Sequence, residues 1–338
     1  MGGNVFGSTA KIDKDDIKPT LKEFLRQLIS IFPKEGDDIT SAITKHLRTI
    51  KTLGSVGKKP TSGDIDLALA GSSFDDINDW GLDEKYVQDL FTGFKSRAKT
   101  STDQQLMKRA VIVALAEKID KSNTEISCDV KSSGAGTLFL EFPQYTQVGE
   151  EKDQIEKTGY NVQIDINIGD VDWLKFAYYS AVYKKEKKKE DGEVKEEEDN
   201  VKGLHRTQLL VALFSNEGYT FSHNYGVKHK KTQEIVATRP QQAIDLLNSL
   251  YKLNLNSSIL ANYYTLHKAL IDGLSEDDLN TLYDTYLLIL DKTRCDIPED
   301  LQEYWIKNQE RLGLTGKLLP TGEKEGEEPS KLLKYKIG

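Results

Sequence analysis

Apolar side chains recur every three to four positions in DIKPTLKEFLRQLISIF, residues 16–32, which predicts an amphipathic helix. Residues 38–52 predict a second helix, opened by Asp38 or Thr40. After a Gly-Ser turn the period changes to two. Ile65, Leu67 and Leu69 alternate with Asp64, Asp66 and Ala68, which predicts a strand over 64–69 with one apolar face. Helices are expected over 84–99 and 103–119. Extended segments follow: EISCDV, then TLFLEF after a Ser-Ser-Gly-Ala-Gly turn, then YNVQIDINI. An aromatic-rich helix is expected over 171–183, with Asp170 and Asp172 at its start, where acids suit the helix dipole.

Residues 184–202, KKEKKKEDGEVKEEEDNVK, are basic and then acidic. With little apolar surface to bury they are expected to form a mobile insertion, a solvated helical extension being the alternative. The helical period resumes over 204–216. Residues 217–239 read as short strands around turns, and helices are expected over 240–252, 257–272, 276–291 and 298–311. The tail is expected to be flexible, and no internal repeat is present. Helices and strands in this order predict an α+β fold.

Composition narrows the function. The 338 residues are 38% hydrophobic and 30% charged, with a net charge of −8. That balance argues against a nonspecific coat on nucleic acid. No run approaches the roughly 18 apolar residues of a membrane span. Cys128 and Cys295 lie far apart without metal-ligand spacing, which fits a reducing, cytoplasmic setting. The isolated cysteines read as core residues. His46, His205, His223, His229 and His267 show no ligand spacing either. Basic residues gather locally, at Lys45, Arg48, Lys51, Lys58 and Lys59, and again at Lys228 to Lys231 around His229. Lysines and aromatics interleave in TFSHNYGVKHKK, a pattern that suits a nucleic-acid backbone with base stacking and equally an exposed hairpin.

The chemistry concentrates in LGSVGKKPTSGDIDLAL, residues 53–69. A nucleotide-triphosphatase loop needs Gly, four residues, then Gly-Lys-Ser/Thr. Here Gly57-Lys58 is followed by Lys59, and Thr52 stands where the first glycine belongs, so the pattern fails. Lys58, Lys59 and the turn amides can still hold phosphate. Asp64 and Asp66, two apart on a strand, point to one face. Paired carboxylates on a partly buried face repel unless a cation or proton lies between them. Such oxygen ligands suit Mg2+ bridging to a triphosphate. VQIDINI adds Asp165 on a second apolar strand. Three carboxylates on adjacent strands can serve two-metal phosphoryl transfer, with Asp64 and Asp66 bridging both ions and Asp165 completing the first.

A helix ending in Gly-Ser, a short loop, Asp-x-Asp between apolar residues and a later one-acid strand resemble the polymerase β-like nucleotidyltransferase superfamily. The likeness extends toward the family X DNA polymerases in KFAYYSA and LLVALFSNEGYTFSHNYGVK. It covers about residues 38–250 and is most specific at the two acidic motifs. It implies a palm, a mixed β-sheet flanked by helices, over 36–183. An N-terminal arm and helix (1–35) would precede it. The charged insertion (184–202), a small thumb (203–252), a helical C-terminal region (253–312) and the tail (313–338) would follow. It further implies an NTP or dNTP substrate with two Mg2+ ions, Mn2+ able to substitute. Gly54 and Ser55 would open the phosphate loop, with Ser55, Lys58, Lys59 and Gly63 near the β- and γ-phosphates. Tyr178 and Tyr179 would lie beside the sugar, core packing being the alternative, and Arg206 would reach the nucleotide from the thumb, a surface salt bridge being the alternative.

The chain also departs from that family. Ala181 replaces its glycine, the basic loop is one residue shorter, and the spacing from Asp66 to Asp165 is longer. No helix-hairpin-helix segment is visible in residues 1–50. The expected acceptor is a nucleic-acid 3′ end. A protein or small-molecule hydroxyl is the alternative, and a non-catalytic binding module with a protein partner is a third reading. No membrane partner is expected. The opening MGGNVFG, similar to that of some bacteriophage nucleotidyltransferases, suggests a phage-infected cell as one setting. Its Asn4 and Phe6 are expected to fold back onto the site, simple disorder being the alternative.

Overall fold

A computed structural model of the chain describes residues 5–32, 43–98, 101–134, 136–149, 151, 154–179, 183–188, 194–199 and 203–314. The fold is α+β and divides into two compact units. The first comprises residues 1–180 with 222–226, the second 181–221 with 227–338.

In the first unit, β1 (Ile12–Asp13) leads into α1 (Lys14–Ser30), followed by the described part of α2, residues 43–47. Of the helix expected over 38–52, residues 38–42 lie outside the described residues, and the helix stops short of residue 52 because Lys51 and Thr52 pair with β4 as a strand. β2 (Lys51–Thr52), β3 (Thr61–Ser62) and β4 (Ile65–Ala70) precede α3 (Glu84–Lys95) and α4 (Asp103–Asp120). β5 (Ser127–Cys128), β6 (Thr137–Gln147), β7 (Ile155–Gly169) and α5 (Val171–Ala177) complete it.

The main sheet has the order β2-β4-β7-β6-β5. β4 and β7 run parallel, and the other pairs are antiparallel. Parallel neighbours need a long crossover, which α3, α4, β5 and β6 supply. Alternation along the strands gives the sheet two different faces. Ile65, Leu67 and Leu69 of β4 and Val162, Ile164, Ile166 and Ile168 of β7 are buried in one core with Phe24 and Leu28 of α1 and Ile112 and Leu115 of α4. Phe24 meets Phe142 edge-on at 5.5 Å. Each such side chain contributes about 1.5–3 kcal/mol when fully buried, so the register of β4 is strongly fixed. A slip by one residue would turn its aspartates into the core. On the opposite face, Leu53, Ala68 and Leu174 form a smaller apolar cluster where α5 packs back on β4.

Residues 222–226 also belong to the first unit. Trp173 Nε1 donates to the Ser222 carbonyl at 2.9 Å. Lys108 on α4 donates to the Ile168 carbonyl and lies 5.0 Å from the Tyr225 ring centre. Burial pushes its ammonium down to about 8. Gly136 has φ +102°, and a Cβ there would fall 2.5 Å from Asn224 Nδ2, so the loop requires glycine at that position.

In the second unit, β8 (Tyr183–Lys188) and β9 (Val194–Asp199) pair antiparallel. The described parts of the charged segment are therefore paired strands and not a helical extension. Its register sets Lys184 opposite Glu198 and Lys185 opposite Glu197. α6 (Gly203–Asn216) follows, then β10 (Tyr219–Ser222), β11 (Gly226–His229) and β12 (Ile235–Ala237) in one sheet, then α7 (Pro240–Tyr251). α8 (Tyr263–Gly273), α9 (Glu276–Thr293) and α10 (Gln302–Asn308) complete the described part. α6 packs against α8 and α9, so the expected thumb and C-terminal helices share a core. Among the described residues no helix is long and apolar enough to cross a membrane.

Candidate metal centre

The parallel pairing of β4 with β7 sets Asp66 directly opposite Asp165. Residues in register on adjacent parallel strands face the same way, so both carboxylates rise from the face opposite the core. Asp64, two residues before Asp66, joins them. One carboxylate oxygen from each of the three lies within 4.8 Å of the others. Asp165 is buried, and Asp64 and Asp66 are half-buried.

Three carboxylates this close cannot all be ionised without help. Two unit charges about 5 Å apart repel by about 3 kcal/mol at an effective dielectric near 20. Burial, then the charges of Asp64 and Asp165, push Asp66 up to about 8. Burial and the Asp64 charge push Asp165 up to about 7, against a hydrogen bond from Gln163. Burial also raises Asp64.

The polar shell is built from the same alternation. Gln163, Asp165 and Asn167 occupy successive outward positions of β7, and Gln163 Nε2 donates to Asp165 Oδ1 at 2.9 Å. Thr137 Oγ1 and the Tyr178 hydroxyl both donate to Asn167 Oδ1, at 2.8 and 2.9 Å. With its oxygen taken by two hydroxyls, Asn167 must present its NH2 toward the acids. Asn167 lowers the Asp66 pKa against that rise, and its Nδ2 lies 3.5 Å from the Asp165 carbonyl. Gln163, Asn167 and Thr137 were not identified from the sequence as part of the site. For Gln163 and Asn167 the signal is present in QIDIN, where these two polar residues share the strand's period with the acid.

The Gly-Ser turn lies beside Asp66. Gly54 has φ +59°, and a Cβ there would lie 3.4 Å from Asp66 Oδ2. Both conformation and proximity favour glycine. Ser55 follows in the same turn. Two of its amides are engaged internally: Val56 N donates to the Leu53 carbonyl and Lys58 N to that of Ser55. This narrows the set of N–H groups left for phosphate. Lys58 Nζ stands 5.1 Å from the Tyr179 ring centre, and burial lowers its pKa. Lys59 lies on the same turn, and Gly63 immediately precedes Asp64. Nothing lies within 4 Å of a Cβ built on Gly63.

The two tyrosines differ. Tyr178 turns its hydroxyl to Asn167, its ring meets His223 at 5.1 Å, and burial raises its pKa. Tyr179 is 39% exposed. Arg206 lies in the second unit, buried within α6, with Nε donating to the Leu260 carbonyl at 2.7 Å. A guanidinium held this way ties its own unit together.

No protein-family model and no curated protein matches the chain. Among solved structures, the ternary P/T complex of Leishmania infantum polymerase beta is similar at 11% identity and TM-score 0.31, covering 72% of this chain and 75% of that one. The ternary gap complex of the same polymerase is similar at 11% identity and TM-score 0.24, covering 82% and 78%. Likeness at that level carries no weight for activity.

Proposed function

We propose that the chain is a metal-dependent nucleotidyltransferase of the polymerase β-like superfamily. It would transfer a nucleoside monophosphate from an NTP or dNTP to a hydroxyl and release pyrophosphate. The observation that carries this reading is the in-register pair Asp66 and Asp165, joined by Asp64 within 4.8 Å and flanked by the Gly54-Ser55 turn.

The donor set fits the ions the reaction needs. It consists of carboxylate oxygens with no histidine or cysteine among them, which suits hard cations such as Mg2+ or Mn2+. When bound, two such ions neutralise the triphosphate and acidify the attacking hydroxyl. The chain's own groups do the rest. Asp64, Asp66 and Asp165 hold the cations, and Gln163 and Asn167 orient the acids. Gly54 lets the turn approach closely, and Ser55, Lys58, Lys59 and Gly63 line the phosphate side. Tyr179 offers an aromatic face to the nucleotide. The acceptor oxygen bonds to the α-phosphorus as the bond to the bridging oxygen of the pyrophosphate breaks. The proton of the acceptor hydroxyl would pass to a carboxylate oxygen of Asp165. Positioning and charge neutralisation supply most of the acceleration in reactions of this class.

The acceptor proposed is a nucleic-acid 3′ end, and the test separates it from the others. The protein is incubated with Mg2+ and an α-labelled nucleotide, with separate pools of oligonucleotide, with and without template, and of protein. Magnesium-dependent label on the oligonucleotide is the expected result. Label on protein alone would move the acceptor to a side chain. Label in neither pool with any nucleotide would overturn the transferase reading.

A further inference from the structure

Residues 5–10 lie along β7 upstream of the stretch that β4 pairs. β4 meets β7 from Ile164 onward. Before that point Thr9 forms a parallel bridge with Asn161, and Ala10 N donates to the Asn161 carbonyl at 2.8 Å. Ser8 Oγ donates to Glu141 Oε1 at 2.7 Å, a carboxylate that also accepts from Asn161 Nδ2. Gln144 Nε2 reaches the carbonyls of Ala10 and Lys11 at 3.2 and 3.3 Å. The segment is thus strapped to the acid-bearing half of the sheet.

The strap ends beside the acids. Val5 N donates to Gln163 Oε1 at 2.9 Å, and Gln163 Nε2 donates to Asp165 Oδ1 at 2.9 Å. Gln163 is 2% exposed, so water does not compete freely for either end of its amide. A glutamine amide has an acceptor end and a donor end that exchange on a half-turn. With the Val5 N–H on the oxygen, the NH2 must face the carboxylate. Without that donor, Asp165 alone would select this orientation, and a half-turned amide would set its oxygen against the carboxylate.

We propose that the Val5 backbone N–H and Gln163 are positioning groups for Asp165, the N-terminal strap fixing the amide and the amide fixing the third carboxylate toward a divalent cation. The proposal rests on the metal-site reading above. Its test uses the full chain and Mn2+ alone, read by electron paramagnetic resonance, together with the metal-free melting temperature.

Val5→Pro removes the N–H from a partly exposed position, and Gln163→Leu removes the amide. Both are expected to weaken Mn2+ binding by about tenfold or more, as loss of an outer-shell partner does. Val5→Ala, the conservative variant that keeps the N–H, is expected to retain wild-type affinity. Val5→Pro is expected to keep the wild-type melting temperature without metal. If Gln163→Leu does not fold, Val5→Pro decides. Mn2+ binding by Val5→Pro equal to wild type overturns the inference, as does equal weakening in Val5→Ala. A wild-type chain that binds no Mn2+ is a different failure, because it overturns the metal site itself.

Discussion

Asp66→Asn is expected to reduce nucleotidyl transfer by about a thousandfold, the order seen when a preorganised electrostatic group is lost from an active site. It should leave the fold intact and make the metal-free protein more stable. The two effects have one cause. Asp66 sits between Asp64 and Asp165, and its charge is opposed by both. The asparagine side chain has nearly the same shape, so packing around Leu53, Ala68 and Gly54 is kept. Near neutral pH the fold must either protonate Asp66 or charge it beside two acids, a cost on the order of 2 kcal/mol that asparagine avoids. At about 2–4 °C per kcal/mol for a unit of this size, the melting temperature in EDTA should rise by about 4–8 °C. A structural salt-bridge aspartate would give the opposite sign, because its loss would strand a partner. Asp165→Asn should lose transfer to a similar degree. Thermal scanning in EDTA beside a labelled-nucleotide assay checks both parts. Wild-type transfer, or a lower melting temperature with normal circular dichroism, would contradict the account.

The second large effect is on pH. In EDTA, stability should fall as pH rises from about 5 to about 8. The sign follows from proton binding. An unfolded aspartate titrates near 3.9, whereas Asp66 in the fold is raised to about 8 and Asp165 to about 7. The folded state therefore holds protons that the unfolded state has released. Its advantage is full below the unfolded value and is lost as pH climbs through the folded ones. Most surface carboxylates behave in the opposite way, so the trend is diagnostic of the triad. Saturating Mg2+ should flatten it, because a bound cation replaces the missing protons and ligands must be ionised to bind. Cation affinity should accordingly rise from pH 6 to pH 8. The expected gap between melting temperatures with Mg2+ and with EDTA at pH 8 is on the order of 5 °C or more. Identical pH profiles with and without Mg2+ would contradict the proposed site.

Much of the site was legible in the sequence because its residues follow simple periods. Asp64, Asp66 and Asp165 stand alternately with buried Ile and Leu, so burial of one face dictates where the acids point. Their register could not be read from the sequence, since the parallel pairing of β4 with β7 depends on a crossover of nearly a hundred residues. Strand ends were also hidden. β7 begins at Ile155 in the polar run IEKTGY, where β6 and not side-chain pattern supplies the order. EISCDV contracts to Ser127–Cys128 because Asp129 captures the amides of Lys131 and Ser132 and starts a turn. The helix expected to reach residue 183 stops at Ala177, after which Tyr178 turns to Asn167. Arg206 reads in sequence as a residue able to reach a ligand. Its burial is decided by the carbonyl of Leu260, 54 residues later, which no local pattern reveals.

The most direct measurement is anomalous scattering from a crystal soaked with Mn2+ and a non-hydrolysable nucleoside triphosphate. The account predicts manganese peaks within about 2.0–2.3 Å of carboxylate oxygens of Asp64, Asp66 and Asp165, with the triphosphate against the Gly54-Ser55 turn. A well-occupied nucleotide with no manganese at these aspartates, or with manganese held elsewhere, would contradict it.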